Sequence, residues 1–251
     1  MKIKFLLLLI VFVNFQTLTN AQSPGPIQTD RPDQTETPYT VPAKHFQMET
    51  GLSFEQTDPD IQSFTNPSIL FKYGLNDHFE LGFITEFATL KTKETVSGLS
   101  PITLRFKEKI TNEQGLLPIT SFIGYLSVPN WGSKEFKSTY FAPAFRFTMQ
   151  HTLSQKFTFG YNLGAEWNGE TPEPAFIYTV TTGCSISDKV GAYLEVYGFA
   201  PQFSKADHRF DGGLNFLLKE NILLDISGGA GITENAPDYY MALGFSFRLK
   251  D

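Results

Sequence analysis

The sequence predicts an all-β fold, a single transmembrane antiparallel up-and-down β-barrel of about 12 strands. Three observations lead to this prediction. Apolar and polar residues alternate with a period of two through most of the chain, the alternating runs last roughly 9–13 residues, and short polar turns recur between them. Runs of that length suit tilted strands that cross a bilayer, whereas strands of soluble proteins average about 5–6 residues.

Residues 1–21 have the pattern of a secretory signal peptide. Lys2 and Lys4 precede an apolar run at Phe5–Val13, and the small residues before position 22 offer a cleavage site. The apolar run is too short to cross a bilayer as a helix. We therefore expect export of the chain through a cleaved signal peptide. No cysteine lies near the cut, so we expect no lipoprotein anchor.

The composition excludes some classes of partner. The chain has 26 Asp and Glu against 20 Lys and Arg, a net charge of −6. Nucleic-acid binders carry a basic excess, so we expect no nucleic-acid partner. The single cysteine, Cys184, cannot form an internal disulfide, so burial or a membrane must stabilise the exported chain.

Residues 22–43 form an irregular, proline-rich segment before the first strand. Proline removes ladder donors and disfavours helix, so this segment is neither a membrane strand nor an amphipathic anchor. Two readings remain open. It is either a solvated periplasmic tail that helps handover to periplasmic chaperones, or a plug that folds back into the barrel.

The barrel domain is predicted at residues 44–251. In the stretch FTFGYNLGAEW, Phe157, Phe159 and Tyr161 fall on one face of a strand, and Thr158 and Asn162 fall on the other. The same alternation predicts twelve strands, at residues 44–56, 65–75, 78–89, 97–109, 116–128, 138–150, 155–167, 173–186, 189–200, 208–218, 221–231 and 238–250.

The spacing of turns supports the same count. Five short polar turns, near residues 77, 113, 155, 188 and 220, alternate with six longer breaks. Short periplasmic turns and longer outer loops are typical of outer-membrane barrels, and an even number of strands puts both termini on the periplasmic side. The longer breaks are predicted at residues 57–64, 90–97, 129–137, 168–172, 201–207 and 232–237.

A soluble secreted β-sandwich or barrel is the alternative fold. It would turn the Phe and Leu faces inward, where twelve long strands supply far more large apolar side chains than a small barrel can hold. It would also leave an exterior with few lysines. We therefore favour the membrane barrel, whose apolar face contacts outer-membrane lipid.

In that barrel the polar face lines the lumen. Charges in a narrow lumen have little bulk water, so we expect them either to pair and fill the barrel or to form a path for a small solute. The predicted inward set is Gln47, Glu49, Glu55, Glu80, Glu86, Arg105, Lys107, Arg146, Asn162, Glu166, Tyr193, Glu195, Tyr197, Arg209, Asp211, Asn215, Asp225 and Arg248.

If residues 22–43 are a plug, their charges should meet this lumen. The plug candidates are Asp30, Arg31, Asp33 and Glu36. Arg31 would pair with lumen acids such as Glu49 or Glu80. The three plug acids would pair with lumen arginines, namely Arg105, Arg146 or Arg248.

Catalytic and metal-binding patterns are weak. The four histidines show no helical metal spacing and no Cys/His cluster exists, so we expect no metal and no cofactor. Ser204 and His208 share one outer loop, which leaves a membrane-embedded lipid-modifying enzyme as the last-ranked hypothesis. We predict no catalytic residue.

Two stretches resemble known proteins. The C-terminal MALGFSFRLKD resembles the terminal strand signal that the outer-membrane assembly machinery reads, although Lys250 and Asp251 follow its last apolar residue. The stretch Thr29–Gly51, TDRPDQTETPYTVPAKHFQMETG, resembles the N-terminal signature of the MetA-pathway phenol-degradation family. That resemblance implies an outer-membrane barrel of Gram-negative bacteria with a transporter-like role.

The favoured function is a passive channel or transporter for small solutes, aromatic or hydrophobic ones among them. The alternative is a non-conducting structural or binding barrel whose lumen is filled. Neither the solute nor the oligomeric state follows from the sequence.

Overall fold

The computed structural model describes residues 24–250, so the predicted signal peptide lies outside the described residues. Thirteen strands and one short 3-10 helix, Lys134–Phe136, follow an irregular N-terminal segment. The strands are β1 (His45–Asp58), β2 (Ile61–Asn76), β3 (Phe79–Lys91), β4 (Thr95–Leu99), β5 (Thr103–Thr111), β6 (Ile119–Ser127), β7 (Ala142–Thr152), β8 (Phe157–Glu166), β9 (Ala175–Ser187), β10 (Val190–Pro201), β11 (Asp207–Lys219), β12 (Ile222–Gly231) and β13 (Tyr239–Lys250).

Twelve of these strands form a closed ring. Each pairs antiparallel with its neighbour, β3 pairs with β5, and β13 returns to pair with β1. Among the described strands, the extra strand β4 pairs with β3 alone. The predicted all-β barrel of twelve strands is therefore confirmed. Within residues 24–250, no helix is both long enough and apolar enough to span a membrane.

The fourth predicted strand, 97–109, is divided in the structure. Pro101 lies between β4 and β5 and has no N–H to give to a ladder. On either side of it the backbone turns to other partners, since Ser100 N–H donates to the Glu86 carbonyl at 2.8 Å and Ile102 N–H to the Trp131 carbonyl at 3.1 Å. The proline thus ends a short hairpin, β3–β4, that extends beyond the ring.

The predicted break at residues 57–64 is wrong. There β1 continues to Asp58 and β2 begins at Ile61, so only two residues connect them. Pro67 lies inside β2, where the register shifts between Thr65 and Ser68. A bulge lets a strand accommodate a residue that cannot donate to its neighbour, so the proline does not end the strand.

The two ends of the barrel differ in their connections. At the end that holds both termini, turns such as residues 188–189 and 220–221 are short; we call this the turn end. At the opposite end, which we call the loop end, the connection from β6 to β7 covers residues 128–141. This is the predicted arrangement of short turns and longer loops, with two exceptions: residues 59–60 form a short turn at the loop end, and residues 112–118 form a longer connection at the turn end.

The two faces of the wall are inverted relative to a soluble protein. Inward side chains such as Glu80, Lys107 and Asn162 are fully buried, whereas large apolar side chains are exposed on the outside. An apolar exterior around a closed hydrogen-bonded wall is stable in hydrocarbon. The exposed set includes Leu81, Phe83, Leu104, Phe106, Phe147, Leu163, Leu194 and Val196.

Candidate functional site

Residues 24–43 run through the interior of the barrel. Arg248 of β13 donates to the Gly25 carbonyl at 2.5 Å, and Ser121 of β6 donates to the Pro38 carbonyl at 2.5 Å. Because these partners come from strands far apart around the ring, the segment crosses the lumen. We call residues 24–43 the inner segment.

The inner segment has no regular secondary structure because its backbone bonds to the barrel wall. Buried N–H groups need acceptors, and five of them here use carboxylate or amide oxygens of inward side chains. The pairs are Asp30 with Glu49 at 2.9 Å, Arg31 with Glu49 at 3.2 Å, Gln34 with Glu195 at 2.7 Å, Glu36 with Asn162 at 2.8 Å and Val41 with Glu80 at 2.7 Å.

Asp30 is surrounded by three cations. Its carboxylate lies 2.8 Å from the Lys72 ammonium, 2.8 Å from the Arg105 guanidinium and 2.7 Å from the Lys107 ammonium. Sequence reasoning placed Arg105 and Lys107 in the lumen and missed Lys72. The signal was present, since Lys72 alternates with Phe71 and Tyr73 on β2 and therefore points inward.

Arg105 joins two acids of the inner segment, Asp30 and Glu36, to Glu80 in the wall. Its guanidinium lies 2.9 Å from Glu36 and 2.6 Å from Glu80, in addition to Asp30. Glu36 also accepts a hydrogen bond from the Tyr125 hydroxyl and lies 3.7 Å from Arg146. One network of charges therefore joins the segment to strands β3, β5, β6 and β7.

Arg31 crosses to the opposite wall. Its guanidinium pairs with Asp225 at 3.1 Å and donates to the Leu243 carbonyl at 3.3 Å, rather than pairing its side chain with Glu49 or Glu80. It lies against Gly51 and Gly244, which are cross-strand partners in β1 and β13. A Cβ on Gly51 would overlap the Arg31 guanidinium, so any other residue there would force the end of this side chain to move.

Replacement of Gly51 by alanine tests this close approach. Because the new Cβ overlaps the guanidinium, we expect G51A to displace Arg31 from Asp225 and to destabilise the barrel by about 1–3 kcal/mol, measured by denaturant unfolding in detergent. G191A is the matched control, since its Cβ would make only ordinary contacts, the nearest at 3.8 Å. Equal stability of the two variants would contradict the contact.

Two acids of the inner segment lie in opposite electrostatic surroundings. Burial alone would raise the pKa of Asp30, but Lys107, Lys72 and Arg105 together hold that pKa well below its ordinary value. Burial, followed by the Glu195 carboxyl, raises the pKa of Asp33 well above its ordinary value. The ion pairs of Asp30 therefore stabilise the inner segment in the lumen, whereas the Asp33 carboxyl lies near other carboxyl groups.

The other candidate residues have different partners inside the lumen. Glu195 accepts the Thr35 hydroxyl, and Asp211 accepts the Tyr240 hydroxyl. Glu86 accepts the Ser68 hydroxyl at 2.8 Å, and Arg209 pairs with Glu55 at 2.9 Å and with Asp207. Arg248 bonds the Gly25 carbonyl rather than an acid, and Glu166 lines a cavity at the loop end.

Two cavities lie on either side of the inner segment. The outer cavity, about 420 Å³, is open to the loop end and includes Tyr125 and Trp167 in its wall. The inner cavity, about 330 Å³, lies at the turn end beside Lys156 and Lys189. Arg31, Asp33 and Glu36 line both cavities, so the segment is the partition between them.

The structure brings together no hydrolytic pair at Ser204 and His208. The His208 ring instead lies 2.8 Å from the Tyr178 hydroxyl. Among residues 24–250, no group of three or more His, Cys, Asp or Glu side chains has the geometry to hold a metal ion.

The sequence of the chain matches one family across most of its length. The family described as "Putative MetA-pathway of phenol degradation" matches residues 29–249. The chain belongs to this family. The matched region begins at Thr29, so the family includes most of the inner segment as well as the barrel. No curated protein matches the chain in sequence.

Solved outer-membrane proteins share the fold. The COG4313 outer membrane channel from Pseudomonas putida F1 is 14% identical with a TM-score of 0.68, and the match covers 84% of this chain and 97% of that one. The NanC porin is 10% identical with a TM-score of 0.57, covering 81% and 100%. The KdgM porin is 8% identical with a TM-score of 0.55, covering 80% and 98%. At these identities the comparison shows that the chain shares its fold with these proteins.

Proposed function

We propose that this member of the family is a passive outer-membrane channel for small solutes, closed in this structure by the inner segment. The single observation that supports closure is the partition between the outer and inner cavities, which consists of one layer of chain at Arg31, Asp33 and Glu36. Movement of that layer would join the two cavities into a continuous path through the barrel.

The fold supports the location and the route. The apolar exterior suits lipid, and the similar folds are an outer-membrane channel and two porins. The chain would reach the Gram-negative outer membrane through its signal peptide and periplasmic chaperones. There the terminal strand β13, which closes the ring against β1, would be read by the assembly machinery.

The walls of the outer cavity favour small solutes with an aromatic or hydrophobic part. Tyr125, Trp167 and Leu70 offer apolar surface, while Arg146 offers donors to a hydroxyl or carboxylate. The rest of the wall is mostly polar and charged, with Glu36, Glu86 and Glu166 among its residues, so the solute would combine its apolar part with polar groups.

A cross-link can test whether movement of the inner segment opens the path. The hydroxyls of Thr35 and Thr179 lie 2.6 Å apart, so cysteines at both positions are within reach of a disulfide, in a background with C184S. We expect rapid cross-linking of the refolded barrel, low conductance in planar bilayers while oxidised, and higher conductance after reduction.

The same experiment separates the channel from a filled structural barrel. The second candidate, the filled barrel, is favoured by the charge network at Asp30 and Glu36, because the charged side chains around these two residues are paired with each other. A barrel that cross-links but stays silent after reduction would support that second candidate and overturn the channel. Single-cysteine variants control for effects of the substitutions themselves.

A further inference from the structure

Trp167 lies where three cavities at the loop end meet. It is in the wall of the outer cavity, of a second cavity of about 420 Å³ that reaches Phe203, and of a third of about 330 Å³ that reaches Phe136. The outer cavity also shares Glu166 with the second cavity and Glu86 with the third. We call the three cavities together the vestibule. Each has a volume typical of ligand pockets.

The Trp167 side chain is fixed in its orientation. Its backbone N–H donates to the Pro143 carbonyl at 3.0 Å, and its indole Nε1–H donates to the Pro172 carbonyl at 3.0 Å. Asn168 stabilises the loop that supplies the second carbonyl, since its side-chain oxygen accepts the Thr171 N–H at 3.0 Å. A side chain that is already ordered loses little conformational freedom when a solute binds to it.

The Trp167 indole has surface to offer to a solute. The side chain is half-buried, and no aromatic ring or cation of residues 24–250 stacks on it. Its one polar atom is already bonded to Pro172. What remains for the vestibule is a flat, apolar ring surface, which suits stacking against a flat apolar face.

Acceptor oxygens lie around the same space. The Glu86 carboxylate accepts one hydrogen bond, from the Ser68 hydroxyl at 2.8 Å. The Glu166 carboxylate accepts none from residues 24–250, although Arg146 attracts it electrostatically. Carboxylates have several acceptor positions and no donor, so these two groups leave positions for O–H donors of a solute.

The charges of the wall select against an ionic solute. Glu86, Glu166 and Glu170 would repel an anion. Arg146 and Lys137 would repel a cation. A neutral solute is therefore favoured.

A sugar ring combines the features that the vestibule requires. Its C–H face is flat and apolar and stacks on an indole ring, while the hydroxyls at its edge donate to carboxylates. A phenol also stacks, but its single hydroxyl would leave most of the acceptor positions at Glu86 and Glu166 to water.

We propose that the vestibule binds a neutral monosaccharide or disaccharide, with one sugar ring stacked on Trp167 and its hydroxyls donating to Glu166 and Glu86. The extension that such sugars then pass through the barrel rests on the proposed function. Binding itself needs no conduction, because the outer cavity is open to the loop end while the inner segment closes the lumen.

Tryptophan fluorescence tests this site, because the chain contains only two tryptophans. W131F leaves Trp167 as the reporter, and W167F leaves Trp131, which is 51% exposed and lines none of the three cavities. Purified barrels in a sugar-free detergent, lauryldimethylamine oxide, are titrated with maltose. We expect a saturable change of emission in W131F and no change in W167F.

Matched solutes and variants locate the effect. Sorbitol has hydroxyls but no ring face, so we expect no saturable change with it. In the W131F background we expect E166Q to raise the half-saturating maltose concentration by about tenfold, because a carboxylate accepts a stronger hydrogen bond than an amide does. E234Q, an exposed loop variant, should leave that concentration unchanged. Heat-modifiable migration on a gel checks that each variant is folded.

Four results would overturn the proposal. They are W131F emission that maltose does not change, an equal response to sorbitol, the same half-saturating concentration in E166Q and E234Q, and a saturable response to phenol without one to maltose. The last result would assign the Trp167 surface to an aromatic solute instead.

Planar bilayers separate this inference from the proposed channel. A barrel that conducts but does not respond to maltose would reject the sugar site alone. A barrel that binds maltose in detergent but stays silent when the inner segment is free to move would reject the channel alone.

Discussion

Removal of residues 22–40 is expected to turn a closed barrel into a conducting one. The deletion takes away the partition residues Arg31, Asp33 and Glu36 together with Asp30 and its ion pairs, and it leaves every ladder of the wall intact. Water entering the lumen would solvate the cations that Asp30 now neutralises. The measurement is single-channel conductance in planar bilayers, compared with the intact chain.

The deletion needs a control for folding. The variant should keep the heat-modifiable gel shift of the intact barrel, and its far-UV circular dichroism should remain that of a β protein. The oxidised T35C/T179C barrel is the matched closed state. A correctly folded deletion variant whose conductance equals that of the intact chain would rule out the inner segment as the element that closes the lumen.

Asp30→Asn is expected to destabilise the barrel strongly. Its carboxylate neutralises Lys72, Arg105 and Lys107 together, and removing one partner from a buried ion cluster costs about 3–5 kcal/mol. Because the pKa of Asp30 is held below its ordinary value of 3.8, its contribution is fully present above pH 3.8 and is lost as pH falls through the lower folded-state value. Denaturant unfolding from about pH 1.5 to pH 8 measures this difference.

Asp33→Asn is the matched variant, and we expect it to change the stability of the barrel in the opposite direction. Burial and Glu195 raise the pKa of Asp33, so its charge destabilises the folded state as pH rises above the ordinary value of 3.8. We expect D33N to be more stable than the unmodified chain at pH 8 and equal to it at pH 3, measured by denaturant unfolding in detergent. Equal effects of D30N and D33N would contradict the opposite electrostatic surroundings of these two acids.

The fold follows from local patterns that the sequence displays. Alternation decides which face each side chain takes, so Glu80, Arg105 and Lys107 could be placed in the lumen without knowledge of their neighbours. The divided strand at Pro101 and the continued strand at Pro67 show the limit of this reasoning. A proline ends a strand or is absorbed in a bulge according to the partners available on either side.

The pairing inside the lumen could not be predicted in the same way. Asp30 meets Lys72, Arg105 and Lys107, which are 42, 75 and 77 residues away in the chain. Arg31 meets Asp225 across 194 residues, because bare glycines at positions 51 and 244 leave a groove for its side chain. Such contacts depend on strand tilt, stagger and the path of the inner segment.

The sequence by itself therefore determined an acidic, all-β chain with an apolar outer face and a charged inner face. Side-chain alternation is a property of each strand alone, so it can be read locally. Only the tertiary structure decided which interior charges form ion pairs, as Arg105 does with Glu80, and which acids lie beside each other, as Glu195 and Asp211 do across two strands. Closure of the ring sets the distances across the lumen, and at those distances the free energy of a buried charge depends on its partner.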